Sequence, residues 1–150
     1  MNNVLLKVFA KDSRCIPTYA TPGSSGFDFK ANINEPLIIK PSSVELIPTG
    51  LYVSIIKGYE IQIRPRSGLA IKHGLTVINS PGTVDSDYRG EIIVGLFNMF
   101  KKRYTILPYE RIAQGVVCPV IQARINTVDK IEYLGDTIRG SGGLGSTGTK

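Results

Sequence analysis

Tryptophan is absent from the 150-residue sequence, which also contains only two cysteines and one histidine. Cys15 and Cys118 are too few and too far apart to form a disulfide framework or a metal-ligand cluster, so we expect reduced thiols in a cytoplasmic protein. No apolar run approaches the ~20 residues that a membrane-spanning helix needs. The apolar run 4–10 is interrupted by Lys7, and no basic flank precedes it, so it does not predict a signal peptide.

The sequence is rich instead in turn-forming residues, with 16 glycines and 9 prolines. Its hydrophobic content of 42% and charged content of 20% are typical of one globular domain with a full core. Short apolar stretches punctuated by Pro36, Pro48 and Gly58 predict an all-β sandwich or barrel. The candidate strands are 3–10, 36–40, 43–47, 50–56, 59–64, 75–79, 91–98, 103–107 and 111–120. A single short helical turn is predicted over 67–73.

The chain carries a net charge of +6, and its isoelectric point is near 9.4. A basic surface suits an anionic partner such as a nucleotide, a nucleic acid or a membrane face, but charge alone does not choose among them. The basic run 101–103 has no interleaved aromatic platform of the kind that single-stranded nucleic acids need. We therefore expect neither a nucleic-acid partner nor a membrane partner.

The segment 82–92 has the densest chemistry in the chain, because two carboxylates, a phenol and a guanidinium occupy five positions, 85–89. Flanking glycines and the apolar run that follows predict a tight turn leading into a buried strand. A carboxylate on such a turn can orient a water, a sugar hydroxyl or a metal-bound water. Taken alone, however, the segment is more typical of a hairpin loop with solvated charges, because charge clusters are often structural.

The C-terminal residues 135–150 include six glycines and cannot build a core of their own. We therefore divide the chain into a β domain, 1–134, and a flexible arm, 135–150. Within the arm, Arg139, Ser146 and Thr147 stand among the glycines. Backbone N–H groups, hydroxyls and a guanidinium can together surround phosphate oxygens.

Three other clusters have similar chemistry. Arg66 and Ser67 stand at the start of the predicted helical turn, where free backbone N–H groups attract anions. Gln114 interrupts an apolar strand and is either capped in the core or directed into a site. Asp28 lies between two phenylalanines after a glycine-rich turn. Each of these also has an ordinary structural interpretation, as a helix cap, a buried amide or a turn aspartate.

Taken in order, these segments resemble the five signature motifs of the trimeric deoxyuridine triphosphate nucleotidohydrolases (dUTPases). They read ATPGSSGFDF, RPRSGLA, NSPGTVDSDYRGEI, RIAQGVV and RGSGGLGSTG, and they span residues 20–148. The resemblance implies an all-β jelly roll, or β-clip, with one short helix and a glycine-rich arm. It also implies a homotrimer with active sites at subunit interfaces, where the arm closes over a neighbour's site. The implied reaction converts dUTP and water into dUMP and pyrophosphate, which limits uracil incorporation into DNA and supplies dUMP for dTTP synthesis.

The resemblance also implies roles for individual residues. Asp85 would orient the water that attacks the α-phosphate, assisted by Arg66, Gln114 and Arg139. Mg²⁺ is the implied cofactor, held mainly by the triphosphate and by waters rather than by direct protein ligands, with Asp28 reaching it through water. The implied substrate-binding residues are Arg66, Ser67, Gly68, Asn79, Gly82, Asp85, Tyr88, Gln114, Arg139, Leu144, Gly145, Ser146 and Thr147.

One position departs from the family pattern, and three other functions compete with the implied one. Leu144 stands where most family members carry an aromatic residue over the uracil, so we expect a looser lid, which Leu144→Phe should tighten. A dCTP deaminase of the same fold would need a catalytic glutamate at the position of Gly95, and no other acid follows before Glu110. A non-enzymatic nucleotide-binding trimer should lack one of the motifs, and a nucleic-acid-binding barrel should expose clustered aromatics.

Overall fold

The computed structural model describes residues 4–143 and residue 146 and shows an all-β architecture with one short α-helix. The eleven strands are β1 (Leu6–Ala10), β2 (Gly26–Lys30), β3 (Leu37–Ile39), β4 (Val44–Pro48), β5 (Leu51–Ile55), β6 (Tyr59–Arg64), β7 (Leu75–Val77), β8 (Gly82–Val84), β9 (Ile93–Asn98), β10 (Tyr104–Ile106) and β11 (Arg111–Pro119). Helix α1 spans Ser67–His73, and short 3-10 helices cover Ser13–Cys15 and Ile131–Leu134. Both cysteines are free thiols.

The strands form antiparallel sheets that enclose one apolar core. The largest sheet has the order β2-β11-β6-β8, a second has the order β4-β9-β7, and β1-β5 and β10-β3 are two-stranded. Alternate side chains of each strand face inward, as in β5, where Leu51, Val53 and Ile55 are buried. The same alternation buries Phe27 and Phe29 in β2, which directs Asp28 to the opposite face of the sheet.

The nine predicted strands and the predicted helical turn are confirmed, but β2 and β8 were missed. Both lie in glycine-containing segments whose composition is typical of turns. In addition, the three residues of β8 are too few to show an alternating apolar pattern. The structure also corrects the hairpin expected in 82–92, because β8 pairs with β6 and not with β9. The segment that follows β8 therefore connects two different sheets.

Residues 120–141, which follow β11, are exposed throughout. Ile121, Ile125 and Ile138 are almost fully exposed, although each has a large apolar side chain. The predicted boundary between 134 and 135 stays a prediction, but the exposed segment already begins after Pro119, the last residue of β11. No helix in the described part of the chain is long and apolar enough to cross a membrane.

Candidate active site

A small cavity lies beside the segment that connects β8 to β9. We call this the turn cavity; its volume is about 200 Å³. It brings together four of the residues implied by the resemblance, Asn79, Gly82, Asp85 and Tyr88. Glu91 and Gly95 also line it, together with buried aliphatic side chains of β6, β8 and β9. The cavity therefore combines an apolar wall with an amide, a phenol and carboxylates.

The turn that carries Asp85 is closed by its own residues. The backbone N–H of Tyr88 donates to the carbonyl of Asp85 at 3.1 Å. Nη1 of Arg89 donates to the carbonyls of Ser86, at 2.8 Å, and Tyr88, at 2.7 Å. Arg89 thus stabilises the turn, a role that sequence reasoning did not assign to it. Asp85 is left exposed, between the turn cavity and an open depression of about 810 Å³ that Asp87 also lines.

The ring of Tyr88 is fixed by two contacts. Its hydroxyl donates to the carbonyl of Glu91 at 2.9 Å. The ring also lies directly over Gly90, where an added Cβ would come within 2.6 Å of the Tyr88 Cζ. Only glycine permits this close approach. The two contacts hold the phenol against the wall of the turn cavity.

Glu91 is anchored by three donors from another part of the fold. Its carboxylate accepts from Lys11 Nζ at 2.7 Å, from the backbone N–H of Gly50 at 2.9 Å and from Tyr52 Oη at 3.3 Å. The hydrogen bond from Lys11 is the main reason that the pKa of Glu91 lies below its usual range, with Gly50 and Tyr52 adding to the effect against desolvation. Sequence reasoning gave Lys11 and Glu91 no role, since their positions are 80 residues apart.

A second concavity, of about 320 Å³, gathers three of the other predicted clusters. We call it the arginine cleft. It is lined by Ala20, Ser24, Ser25, Gly26, Asp28, Arg66, Ser67, Gly68, Arg111 and Gln114. Arg66 Nε lies 3.0 Å from Asp28 Oδ1, and Arg111 Nη1 lies 3.1 Å from Asp28 Oδ2. One carboxylate therefore holds two guanidinium groups side by side, which suits the binding of a polyanion.

Arg111 was not among the predicted site residues, although it opens the segment that contains Gln114. Its position at the start of β11 places it opposite Lys30, two residues beyond Asp28 in β2. Its carbonyl also accepts a hydrogen bond from Arg66 Nη1 at 3.0 Å. The role of Arg111 was missed because its contact with Asp28 depends on the pairing of β2 with β11, and β2 itself had not been predicted.

Gln114 occupies the middle of the central strand β11, opposite Asp28 in β2 and Arg64 in β6. Its Nε2 donates to the carbonyl of Pro65 at 2.9 Å, which ties it to the residue before Arg66. A Cβ on Gly26 would lie only 2.6 Å from the Gln114 Oε1, so glycine makes room for this amide. The half-buried side chain lines the cleft and is also capped by Pro65, so the role of Gln114 in a site stays a prediction.

The described residues of the arm lie apart from both concavities. Arg139 is exposed, and its Nε donates to the carbonyl of Gly142 at 2.9 Å. Ser146 makes a backbone turn with Gly143. Leu144, Gly145 and Thr147 lie outside the described residues. Among the described residues, the turn cavity and the arginine cleft share no lining residue, so they are two separate concavities.

A family model described as dUTPase matches residues 12–148 of this chain. The deoxyuridine 5'-triphosphate nucleotidohydrolase of Chlamydia felis is 53% identical over 135 residues, which cover 90% of this chain and 92% of that protein. A solved structure of the Staphylococcus bacteriophage 80alpha dUTPase with dUpNHpp has a TM-score of 0.79 at 23% identity and covers 96% of this chain and 98% of that one. The dUTPase from phage phi11 of S. aureus, described with a structural Mg(II) ion, has a TM-score of 0.75 at 21% identity over 85% of this chain and 99% of that one.

Proposed function

The chain belongs to the dUTPase family, and from that premise we propose that it hydrolyses dUTP to dUMP and pyrophosphate. In this proposal the base and sugar bind in the turn cavity, and the triphosphate binds in an arginine cleft. The fold is the dUTPase-like β jelly roll. We call the turn cavity and the arginine cleft half-sites, because each would bind one part of dUTP. The observation that carries this assignment is the grouping of Asn79, Asp85 and Tyr88 around the turn cavity. Their side chains supply an amide for the base, a carboxylate for water and a ring for the sugar.

Base selection rests on Asn79 and on the backbone around it. An asparagine amide has one acceptor and two donors, which can complement the N3–H and a carbonyl of uracil. Cytosine presents the opposite polarity and would leave buried groups unpaired, and mismatches of this kind can discriminate by ~10⁴ or more. Tyr88 packs under the deoxyribose and crowds a 2'-hydroxyl, so the same cavity rejects UTP.

Asp85 orients the water that attacks the α-phosphate and holds the 3'-hydroxyl of the sugar. Its placement supports this role, because the carboxylate lies between the small turn cavity and the open depression beside it. A nucleotide whose base and sugar lie in the turn cavity would point its phosphates toward that depression. The carboxylate can take the proton that the attacking water loses as the new P–O bond forms and the bond to pyrophosphate breaks.

The triphosphate is bound by Arg66, Ser67, Gly68 and Gln114, with Arg111 added by the structure. Charge-assisted hydrogen bonds to phosphate oxygens are stronger than neutral ones and strengthen further as negative charge develops. The described residues include no group of three carboxylate, histidine or cysteine side chains that could hold a metal directly. Asp28 fits a contact through water, because each of its oxygens accepts only one of the arginine bonds described above. When bound, Mg²⁺ would neutralise charge on the triphosphate.

A complete site needs more than one copy of the chain, and we propose a homotrimer. The separation of the turn cavity from the arginine cleft supports this, since an interface can bring one copy's cleft to another copy's depression. The exposed isoleucines of the segment 120–141 also support it, because they leave large apolar surfaces without cover on their own chain. Arg139, Ser146 and Thr147 then reach the γ-phosphate from the arm.

The first test is pyrophosphate release from dUTP with Mg²⁺, measured beside dTTP, dCTP and UTP at equal concentrations. Release from dUTP alone is expected, and no release from dUTP would refute the assignment. The absence of ammonia from dCTP is the matched control for deamination, which Gly95 in the wall of the turn cavity argues against.

Truncation before Arg139 should leave a folded trimer with little hydrolysis, whereas a fully active truncated chain would refute the role of the arm.

A further inference from the structure

We propose that Glu91, held by Lys11 and Tyr52, is a positioning residue that fixes Tyr88 and thereby sets the discrimination between deoxyribose and ribose. We call these three residues the anchor cluster. The proposal rests on the proposed function of the turn cavity. Glu91 does not touch the sugar in this scheme, and its effect reaches the substrate through Tyr88.

The carboxylate of Glu91 is held from three directions. Lys11 follows β1, Gly50 stands between β4 and β5, and Tyr52 lies in β5. Both carboxylate oxygens are used, one by the backbone N–H of Gly50 and the other by Lys11 and Tyr52. The Glu91 side chain is only 17% exposed, whereas that of Lys11 is 51% exposed. The anchor is therefore a mostly buried acceptor with one partner in the two-stranded β1–β5 sheet and two at its edge.

The backbone beside Glu91 is fixed to the same region. The N–H of Ile92 donates to the carbonyl of Leu51 at 2.8 Å, and Thr49 Oγ1 donates to the carbonyl of Ile92 at 2.7 Å. The carbonyl of Glu91 is the acceptor for the Tyr88 hydroxyl. Glu91 thus connects the β1–β5 sheet, through its carboxylate, to the Tyr88 ring, through its carbonyl.

Tyr88 needs such support because it belongs to an exposed turn. Its side chain is not packed in the core, and the residue is 44% exposed. A ring that excludes a 2'-hydroxyl must hold its position closely, since displacements of about 1 Å can cost ~100-fold in rate. Loss of the Glu91 anchor should let the Glu91 carbonyl and the ring move together. The expected consequence is a weaker preference for dUTP over UTP, while Asp85 chemistry remains.

The test compares the ratio of kcat/KM for dUTP and UTP in folded variants. Glu91→Ala should lower the ratio by about tenfold or more, mainly by raising KM for dUTP and kcat/KM for UTP. Glu91→Gln keeps an acceptor for the N–H of Gly50 but loses the charge, so it should give a smaller fall and partial rescue. Arg14→Met is the matched control, because it removes an ion pair with Asp12 in the same N-terminal region without touching 82–92. It should leave the ratio unchanged.

A double-mutant cycle identifies the route of the effect. Tyr88→Phe removes the hydroxyl that bonds to the Glu91 carbonyl and should also lower the ratio. If Glu91 acts through Tyr88, combining Tyr88→Phe with Glu91→Ala should lower the ratio by less than the product of the two single effects. Fully multiplicative effects, or an unchanged ratio in folded Glu91→Ala and Glu91→Gln, would overturn the proposal. A wild-type protein that hydrolyses dUTP alongside such unchanged variants would leave the proposed function standing and remove only the anchor cluster.

Discussion

The turn cavity and the arginine cleft are built in different ways, which fits the different parts of dUTP that we propose they bind. Most of the turn cavity is built from one continuous stretch, 77–95, in which the Tyr88 hydroxyl bonds to the carbonyl of Glu91. The Glu91 carboxylate is held from outside that stretch, by Lys11, Gly50 and Tyr52. The arginine cleft collects residues from β2, α1 and β11, and two of its cations are already paired with Asp28. A base with a fixed donor and acceptor pattern suits local, rigid chemistry. A flexible triphosphate suits several charges brought together by the sheet.

This contrast predicts that damage to one half-site should leave the other intact. Changes in the turn cavity should alter chemistry and selectivity, whereas changes in the cleft should alter affinity for the phosphates. The nucleoside deoxyuridine, which has no phosphates, can report on the turn cavity alone.

The largest effect is expected for Asp85→Asn. The amide keeps the size of the side chain but cannot accept a proton, so kcat for dUTP should fall by roughly 10²–10⁴-fold. KM and the inhibition constant of deoxyuridine should change little, because the cavity wall is preserved. Steady-state kinetics with pyrophosphate detection measures both. Turnover close to that of the wild type would remove Asp85 from the mechanism.

Tyr88→Ala should have the next largest effect, and on selectivity rather than on turnover of dUTP. Without the ring, space opens for a 2'-hydroxyl, so kcat/KM for UTP relative to dUTP should rise by about tenfold or more. Competition between the two nucleotides in one reaction measures this ratio directly. Continued rejection of UTP would show that another group excludes the ribose.

Asp28→Asn tests the arginine cleft. The change weakens the hold on Arg66 and Arg111 without adding bulk, and both pairs are partly exposed, so kcat/KM for dUTP should fall roughly tenfold. Inhibition by deoxyuridine should stay at its wild-type value. An equal loss for the nucleoside would contradict the division into two half-sites, since Asp28 would then also support the turn cavity.

The smallest expected effect is a pH dependence of stability from the turn cavity. The folded-state pKa of Glu91 is depressed, chiefly by the hydrogen bond from Lys11, so its stabilising contribution is present above the unfolded value of about 4.3. That contribution is lost as the pH falls through the lower folded value. The melting temperature of Glu91→Gln should therefore lie at most a few degrees below that of the wild type at pH 7. The difference should shrink below about pH 4, and a constant difference across this range would argue against the ion pair.

The sequence predicted most of the fold because most strands have a clear apolar pattern between prolines and glycines. It missed β2, which follows a glycine-rich turn, and β8, which has only three residues. With β2 it missed the sheet in which Arg111 forms an ion pair with Asp28. The candidate site residues came from the resemblance of five segments, and the structure places most of those before residue 135 in the lining of the turn cavity or the arginine cleft. Sequence reasoning could not find the contact of Lys11 with Glu91, because a contact between distant positions depends on how the strands are arranged.

Asp28 gives the arginine cleft an internal counter-ion. A cleft with two bare guanidinium groups would collect chloride or inorganic phosphate from solution and would have to release those ions before a nucleotide could enter. Here, the carboxylate occupies that position permanently, at 3.0 and 3.1 Å from its two partners. Fewer bulk ions need to leave on binding, so occupancy of the cleft should depend less on ionic strength than it would if both guanidinium groups were bare.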